Sequence, residues 1–314
     1  MGRRRGELSL EEKILTRIQI TDEEAFEKFE RECHLKNLRP ATIQYYRSEL
    51  SSIQKTMIEL NLNKQMVELT NNDVEQIILH LKEQIKTVSI NTRLRALKSF
   101  FNFLDKKNFI PKNPIFDIKQ LRDRQRAIET LDDKEIEKIA ATIRSQNTFV
   151  GVRDITIFIL MLDTGIRLSE LVGIKVNDIR GSELIVRETK NLTERTVYLS
   201  KKTLQQLNVY LRLRGILDTE YLFVNVDDEQ FKGRGIQNRF EKYRKLANIK
   251  KQFSPHILRH TYAKRSILKG IDAFSLAALL GHSDLTVTKR YVRLWGSDLE
   301  AKAKQFSTIN KLNL

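Results

Sequence analysis

Between residues 89 and 105 the apolar positions Ile90, Leu94, Leu97, Phe101 and Leu104 recur at the spacing of one buried helical stripe. Asn91, Arg95, Lys98 and Asn102 repeat that spacing one residue later. They form a contiguous polar stripe beside the core. Such a stripe is either an ordinary solvated face or a surface laid against phosphates, with Arg95 and Lys98 as counter-charges. Upstream, acidic residues at helical spacing with Phe26 and Phe29 on one side predict an amphipathic helix over 22–32. Pro40 suits the first turn of a second helix, which carries Tyr45, Tyr46 and Leu50. A third covers 73–84, opened by Asn72 or Asp73 as a cap.

The pattern breaks after residue 105. Pro111, Pro114, Asn108 and Asn113 fall in a basic stretch that ends in Arg122, Arg124 and Arg126. This predicts an N-terminal extension over 1–19, an all-helical domain over 20–110, a basic linker over 111–127 and a second domain over 128–314. The second domain starts with a capped helix at Thr130-Leu131-Asp132-Asp133-Lys134-Glu135. A buried apolar helix follows at 153–163. Short β-branched runs at 183–188 and 195–199 then flank a polar turn, which predicts a hairpin. Helices follow at 201–213, 235–247, 256–269, 273–280 and 284–293, and a short tail at 295–314 carries Leu299 and Phe306. The fold class is therefore mostly α with a small β-hairpin or sheet: a helical domain followed by a mixed α+β one.

Composition narrows the function. The apolar share is 40% of 314 residues, enough for a core and against wholesale disorder. The longest apolar run, Ile155 to Leu162, is too short to span a bilayer, and the Glu-rich start is unlike a secretory signal. Cys33 is the only cysteine, so neither an internal disulfide nor a Cys-type zinc site is expected. Together these features predict a cytoplasmic protein associated with the nucleoid rather than a membrane. The net charge is +16, and both halves contribute, with +6 over 1–127 and +10 over 128–314. Such a field attracts a polyanion.

The titratable motifs are not those of a metal enzyme. HExxH, an EF-hand loop, a Walker loop and clustered carboxylates at metal-ligand spacing are all missing from the sequence, so no metal and no cofactor are expected. Three of the five histidines crowd into 27 residues, as His256, His260 and His282. His256 and Arg259 share a face at the start of a helix just after Pro255, which is either a solvated face or a site for one phosphodiester. Thr164-Gly165-Ile166-Arg167-Leu168-Ser169-Glu170-Leu171 ends the apolar helix in a tight turn and starts the next with Arg167 and Glu170 together. Leu280-Gly281-His282 follows downstream, and Tyr291 comes nine residues after His282.

Taken in order, these four motifs resemble the signature of the tyrosine recombinase family, the lambda-type integrases and Xer-type resolvases. The resemblance covers nearly the whole chain, with 20–110 similar to the family's core-binding domain and 128–314 to its catalytic domain. It implies a site-specific DNA recombinase that cuts and rejoins DNA through a 3′-phosphotyrosyl link. Arg167 and Arg259 would hold the scissile phosphate, and His256 and His282 would donate to it and assist proton transfer. Tyr291 would attack phosphorus, Glu170 would support the site, and Lys190 would protonate the departing 5′-oxygen. Thr189 and Asn191 stand where the family has glycines around that lysine.

The resemblance further implies double-stranded recombination sites as partner and a tetramer on two of them, with the C-terminal tail docked on a neighbouring protomer. The first 19 residues are too short for the separate arm-site domain of some phage integrases. Integration and excision of a mobile element is the expected job. Resolution of chromosome or plasmid dimers and a catalytically inactive DNA-binding relative are the alternatives.

Overall fold

The structure, a computed structural model, describes residues 20–123, 128–187, 194–282 and 284–295. The chain divides into two compact units, Met1–Arg126 and Ala127–Leu314. The extension over 1–19, the basic residues Arg124 and Arg126, and the tail with Leu299 and Phe306 lie outside the described residues.

The first unit is helical, with α1 at Asp22–Leu35, α2 at Pro40–Glu59, α3 at Asn71–Gln84 and α4 at Thr87–Lys106. Thr21 caps α1 through a reciprocal pair with Glu24, which satisfies two orphan N–H groups of the first turn. Thr70 and Asp73 do the same for α3, with Thr70 as the cap rather than the predicted Asn72 or Asp73. Pro40 occupies the first turn of α2. All five stripe residues of α4 are buried, and so are Ala96, Phe100 and Phe103. The stripe is wider than its spacing suggests because α1, α2 and α3 all pack on α4.

The segment expected as a linker, 111–127, is described as far as Asp123. As far as Leu121 the segment folds back onto the first unit. Ile110, Asn113 and Ile115 are buried, and Ile118 and Leu121 pack against the same core. The Asn91 amide satisfies both backbone groups of Leu121, donating to its carbonyl at 2.9 Å and accepting from its N–H at 2.8 Å. Asn113 Nδ2 donates to Asn102 Oδ1 at 2.9 Å. Two members of the polar stripe therefore clamp the chain, while Arg95 and Lys98 stand exposed.

The second unit begins with α5 at Asp133–Arg144, capped by the reciprocal pair of Asp132 and Glu135. The apolar helix, α6 at Phe149–Thr164, lies at the centre. Arg153 and Asp154 are buried within it. Asp154 pairs with Arg153 and also accepts from Arg239 Nε at 2.6 Å and Tyr243 Oη at 2.8 Å, so the buried charge is compensated. The short α7, Leu168–Val172, follows.

The hairpin forms as β2, Glu183–Val186, and β3, Arg195–Tyr198, antiparallel with Leu184 opposite Val197 and Val186 opposite Arg195. The two-residue β1, Ile179–Arg180, adds to the far side of β2 and is too short to show an alternating pattern in sequence. Then come α8 at Lys201–Arg214, α9 at Gly233–Leu246, α10 at Pro255–Leu268, α11 at Ala273–Leu280 and α12 at Leu285–Trp295. A satellite core of Ala263, Ile267, Leu276, Leu280 and Tyr291 joins α10, α11 and α12. Among the described residues no helix is long and apolar enough to cross a membrane.

Candidate active site

The site is assembled at the C-terminal end of α11. Gly165, which ends α6, has φ of 63°. A Cβ there would lie 2.5 Å from Tyr262 Cδ1 and 2.8 Å from Leu280 Cδ2, so only glycine fits this turn. The turn brings Arg167 to the N-cap of α7. Its main-chain N–H donates to Glu170 Oε2 and its Nη1 to Glu170 Oε1, both at 2.8 Å.

Glu170 is wholly buried and also receives Arg195 from β3, with Nη1 on Oε1 at 2.7 Å and Nη2 on Oε2 at 2.8 Å. Burial alone would raise the Glu170 pKa. The hydrogen bonds and charge of Arg195, followed by those of Arg167, overcome this and hold the carboxyl below its ordinary range.

A helix leaves its last carbonyls without intrahelical partners. At the end of α11 three arginines from three different elements take three successive ones. Arg195 Nε donates to Leu279 O at 3.2 Å, Arg259 Nη2 to Leu280 O at 2.7 Å, and Arg167 Nη2 to Gly281 O at 2.8 Å. Positive charge at a helix C-terminus is also favoured by the helix dipole. Arg259 is buried near the start of α10, and its Nη1 donates to Gly165 O at 2.7 Å. Burial, then repulsion from Arg167, pushes its pKa down to about 10, which leaves it charged at neutral pH.

Gly281, with φ of 65°, turns the chain into His282. His282 Nδ1 lies 2.7 Å from Thr288 Oγ1, a fully buried hydroxyl of α12. Burial, then the charges of Arg259 and Arg167, pushes the His282 pKa down to about 4, so the ring is neutral at neutral pH. Tyr291, also on α12, is only 2% exposed. Its hydroxyl lies 2.7 Å from His260 Nδ1, and its ring stacks on Trp295 with centroids 5.2 Å apart. Burial raises the Tyr291 pKa against the pull of Arg259, Arg290 and Arg167. The hydroxyl therefore rests protonated.

The structure brings Arg167, Glu170, Arg259, His282 and Tyr291 into this one region of the second unit. His256 is exposed on the first turn of α10, three residues before Arg259. Lys190, with Thr189 and Asn191, lies outside the described residues. Two other tyrosines of the second unit are engaged elsewhere: Tyr243 is buried against Asp154 with its pKa driven far up, and Tyr262 packs on Gly165. Among the described residues no group of three or more His, Cys, Asp or Glu side chains is placed to hold a metal ion.

Three participants were given no role from the sequence: Arg195, His260, noted only as one of the crowded histidines, and Thr288. Arg195 had a signal. It shares the period-two register of Val197 and Leu199, both buried, so a charge stands on the inward face of a strand. Thr288 carries no such mark, and the crowding that includes His260 does not reveal its partner, because both roles depend on how α10 and α12 pack.

Residues 129–296 match the model of the phage integrase family, and residues 27–108 that of the phage integrase N-terminal SAM-like domain. The tyrosine recombinase XerC of Treponema denticola is 26% identical over 283 residues, covering 85% of this chain and 92% of that protein. The tyrosine recombinase XerC of Thermodesulfovibrio yellowstonii is 30% identical over 223 residues, covering 68% of this chain and 73% of that protein. Among solved structures, a lambda integrase tetramer bound to a Holliday junction superimposes with a TM-score of 0.72 at 18% identity, over 94% of this chain and 83% of that one.

Proposed function

The chain belongs to the phage integrase family of tyrosine recombinases, and from that premise we propose that it is a site-specific DNA recombinase acting through a 3′-phosphotyrosyl intermediate. The observation that carries the proposal is the gathering of two guanidiniums, a neutral imidazole and a tyrosine hydroxyl around one helix end. Arg167 and Arg259 meet the scissile phosphate, and their combined charge matches the pentacoordinate transition state better than the ground state.

In cleavage the Tyr291 oxygen forms a bond to phosphorus and the bond from phosphorus to the 5′-oxygen breaks. The phenolic proton passes to a neutral base, for which His282 is in the right protonation state. Lys190 supplies a proton to the departing oxygen; His256 donates a hydrogen bond to the phosphate, and His282 does so once it has taken the phenolic proton. The phosphotyrosyl ester keeps the energy of the original diester, so rejoining by a 5′-hydroxyl is the same step reversed.

Each chain cuts one strand, and exchanging two duplexes takes four cuts. The working assembly is thus a tetramer on two sites, in which the tail over 295–314 docks on a neighbour. Lambda integrase as a tetramer on a Holliday junction supports this reading. The net charge of +16, with Arg95 and Lys98 exposed, suits DNA as partner. Integration and excision of a mobile element is the job proposed. Dimer resolution uses the same four cuts, and mapping the two recombined sites separates the roles.

The test of the chemistry is a nicked suicide duplex carrying the recombination site. The parental chain should yield an SDS-resistant protein–DNA adduct and Tyr291→Phe none, with site binding retained. An adduct formed by Tyr291→Phe would assign the nucleophile elsewhere.

A further inference from the structure

Arg195 is the arginine of this site that no recombinase role accounts for. Its guanidinium covers both oxygens of Glu170, and its Nε holds Leu279 O, two residues before Gly281. It leaves no room for a side chain at Gly281, where a Cβ would lie 2.8 Å from Arg195 Nη1. It also sits on β3, five residues after Lys190 in the sequence.

Charge accounts for what the contact does. Among the described residues, the guanidiniums of Arg167, Arg195 and Arg259 and the carboxylate of Glu170 meet at the end of α11. A buried carboxylate takes the best cationic partner on offer. With Arg195 occupying both oxygens of Glu170, that pair is neutral, and Arg167 gives Glu170 only Nη1 and its main-chain N–H. Arg167 and Arg259 together then leave two positive charges for an oxyanion. Without Arg195, Glu170 would pair fully with Arg167 and cancel one of them.

We infer that Arg195 is a positioning residue that neutralises Glu170, keeps Arg167 available to the phosphate and ties the hairpin to the His282 turn. This rests on the strand-transfer reading above.

The experiment compares Arg195→Ala, Arg195→Lys, Glu170→Gln and the double variant Arg195→Ala/Glu170→Gln in the full chain. Two readouts are taken on each: the rate of adduct formation on the nicked duplex, and the rise in melting temperature on adding orthovanadate, a mimic of the pentacoordinate phosphate. Arg195→Ala should lose at least ~10²-fold in rate, the scale of a misplaced reacting group, and lose the vanadate shift. Adding Glu170→Gln to it should recover ~10-fold and restore the shift, since the charge that captures Arg167 is gone.

A merely structural arginine predicts the opposite, a double variant worse than either single. Arg195→Lys keeps the charge and guards against a variant that fails to fold; it should retain the shift and fall between parent and Arg195→Ala in rate. Parental behaviour of Arg195→Ala, or a double variant no better than Arg195→Ala, overturns the inference. A parental chain that binds vanadate but forms no adduct counts against the strand-transfer reading instead, while the shifts still decide the role of Arg195.

Discussion

His260 Nδ1 lies 2.7 Å from the hydroxyl of Tyr291, and the two rings meet edge to face with centroids 5.6 Å apart. The proposed nucleophile is thus held by a histidine of α10 in a buried position, away from water. Each side chain satisfies the other's polar group.

Removing one member should strand its partner. His260→Ala is expected to destabilise the fold by ~1–3 kcal/mol, because the buried Tyr291 hydroxyl loses its hydrogen bond. Tyr291→Phe should cost less, and the pair should show a coupling of ~1 kcal/mol in a double-mutant cycle read by urea unfolding. Strict additivity would mean that the hydrogen bond contributes nothing.

The same histidine and His282 set an acid limit. Burial, the first cause in each case, pushes both pKa values down to about 4, against ~6.5 in an unfolded chain. Between those values the unfolded state binds more protons, so stability rises with pH and is lost on acidification from about 6.5 to about 4. Each ring adds at most ~1.4 kcal/mol per pH unit. Melting temperatures across that window should slope upward with pH, and His260→Asn should flatten the slope. An unchanged slope in that variant would remove His260 from the account.

Arg167 and Arg259 should differ in one respect. Either change to alanine is expected to slow adduct formation by at least ~10²-fold, as loss of a preorganised transition-state partner does. Arg259→Ala should also lower the melting temperature more, since it abandons the carbonyls of Gly165 and Leu280 in a buried setting where Arg167 is part-exposed. Equal melting temperatures for the two variants would contradict that burial argument.

Lys190 is tested through its leaving group. Lys190→Ala should fail on a normal substrate and recover on one with a 5′-bridging phosphorothiolate, because a thiolate departs without a proton. No recovery would place the acid on another group.

The helices were legible because burial repeats along them with a period the sequence preserves. The stripe of α4, the caps of α1 and α5 and the glycine stop after α6 all follow from local chemistry. The residues that converge on α11 could be ordered but not placed together by spacing alone. Arg167 and Gly281 are 114 residues apart, and Arg195 and Glu170 are 25 apart. The packing of 111–121 is hidden from the sequence for a related reason. Prolines and cations mark a broken helix, but they do not reveal that Asn91 will capture Leu121 thirty residues away.

That capture decides where the chain can be divided. A fragment ending at residue 110 would discard Asn113, Ile115 and Leu121, uncover apolar surface among the helices and leave the Asn91 amide without its two main-chain partners. Ending it at 123 keeps every one of those contacts. The usable seam for expressing the helical half alone thus lies at 123, well beyond the last helix, which ends at Lys106, and a protease acting on the native chain should spare the Pro111–Leu121 stretch that its composition marks as exposed.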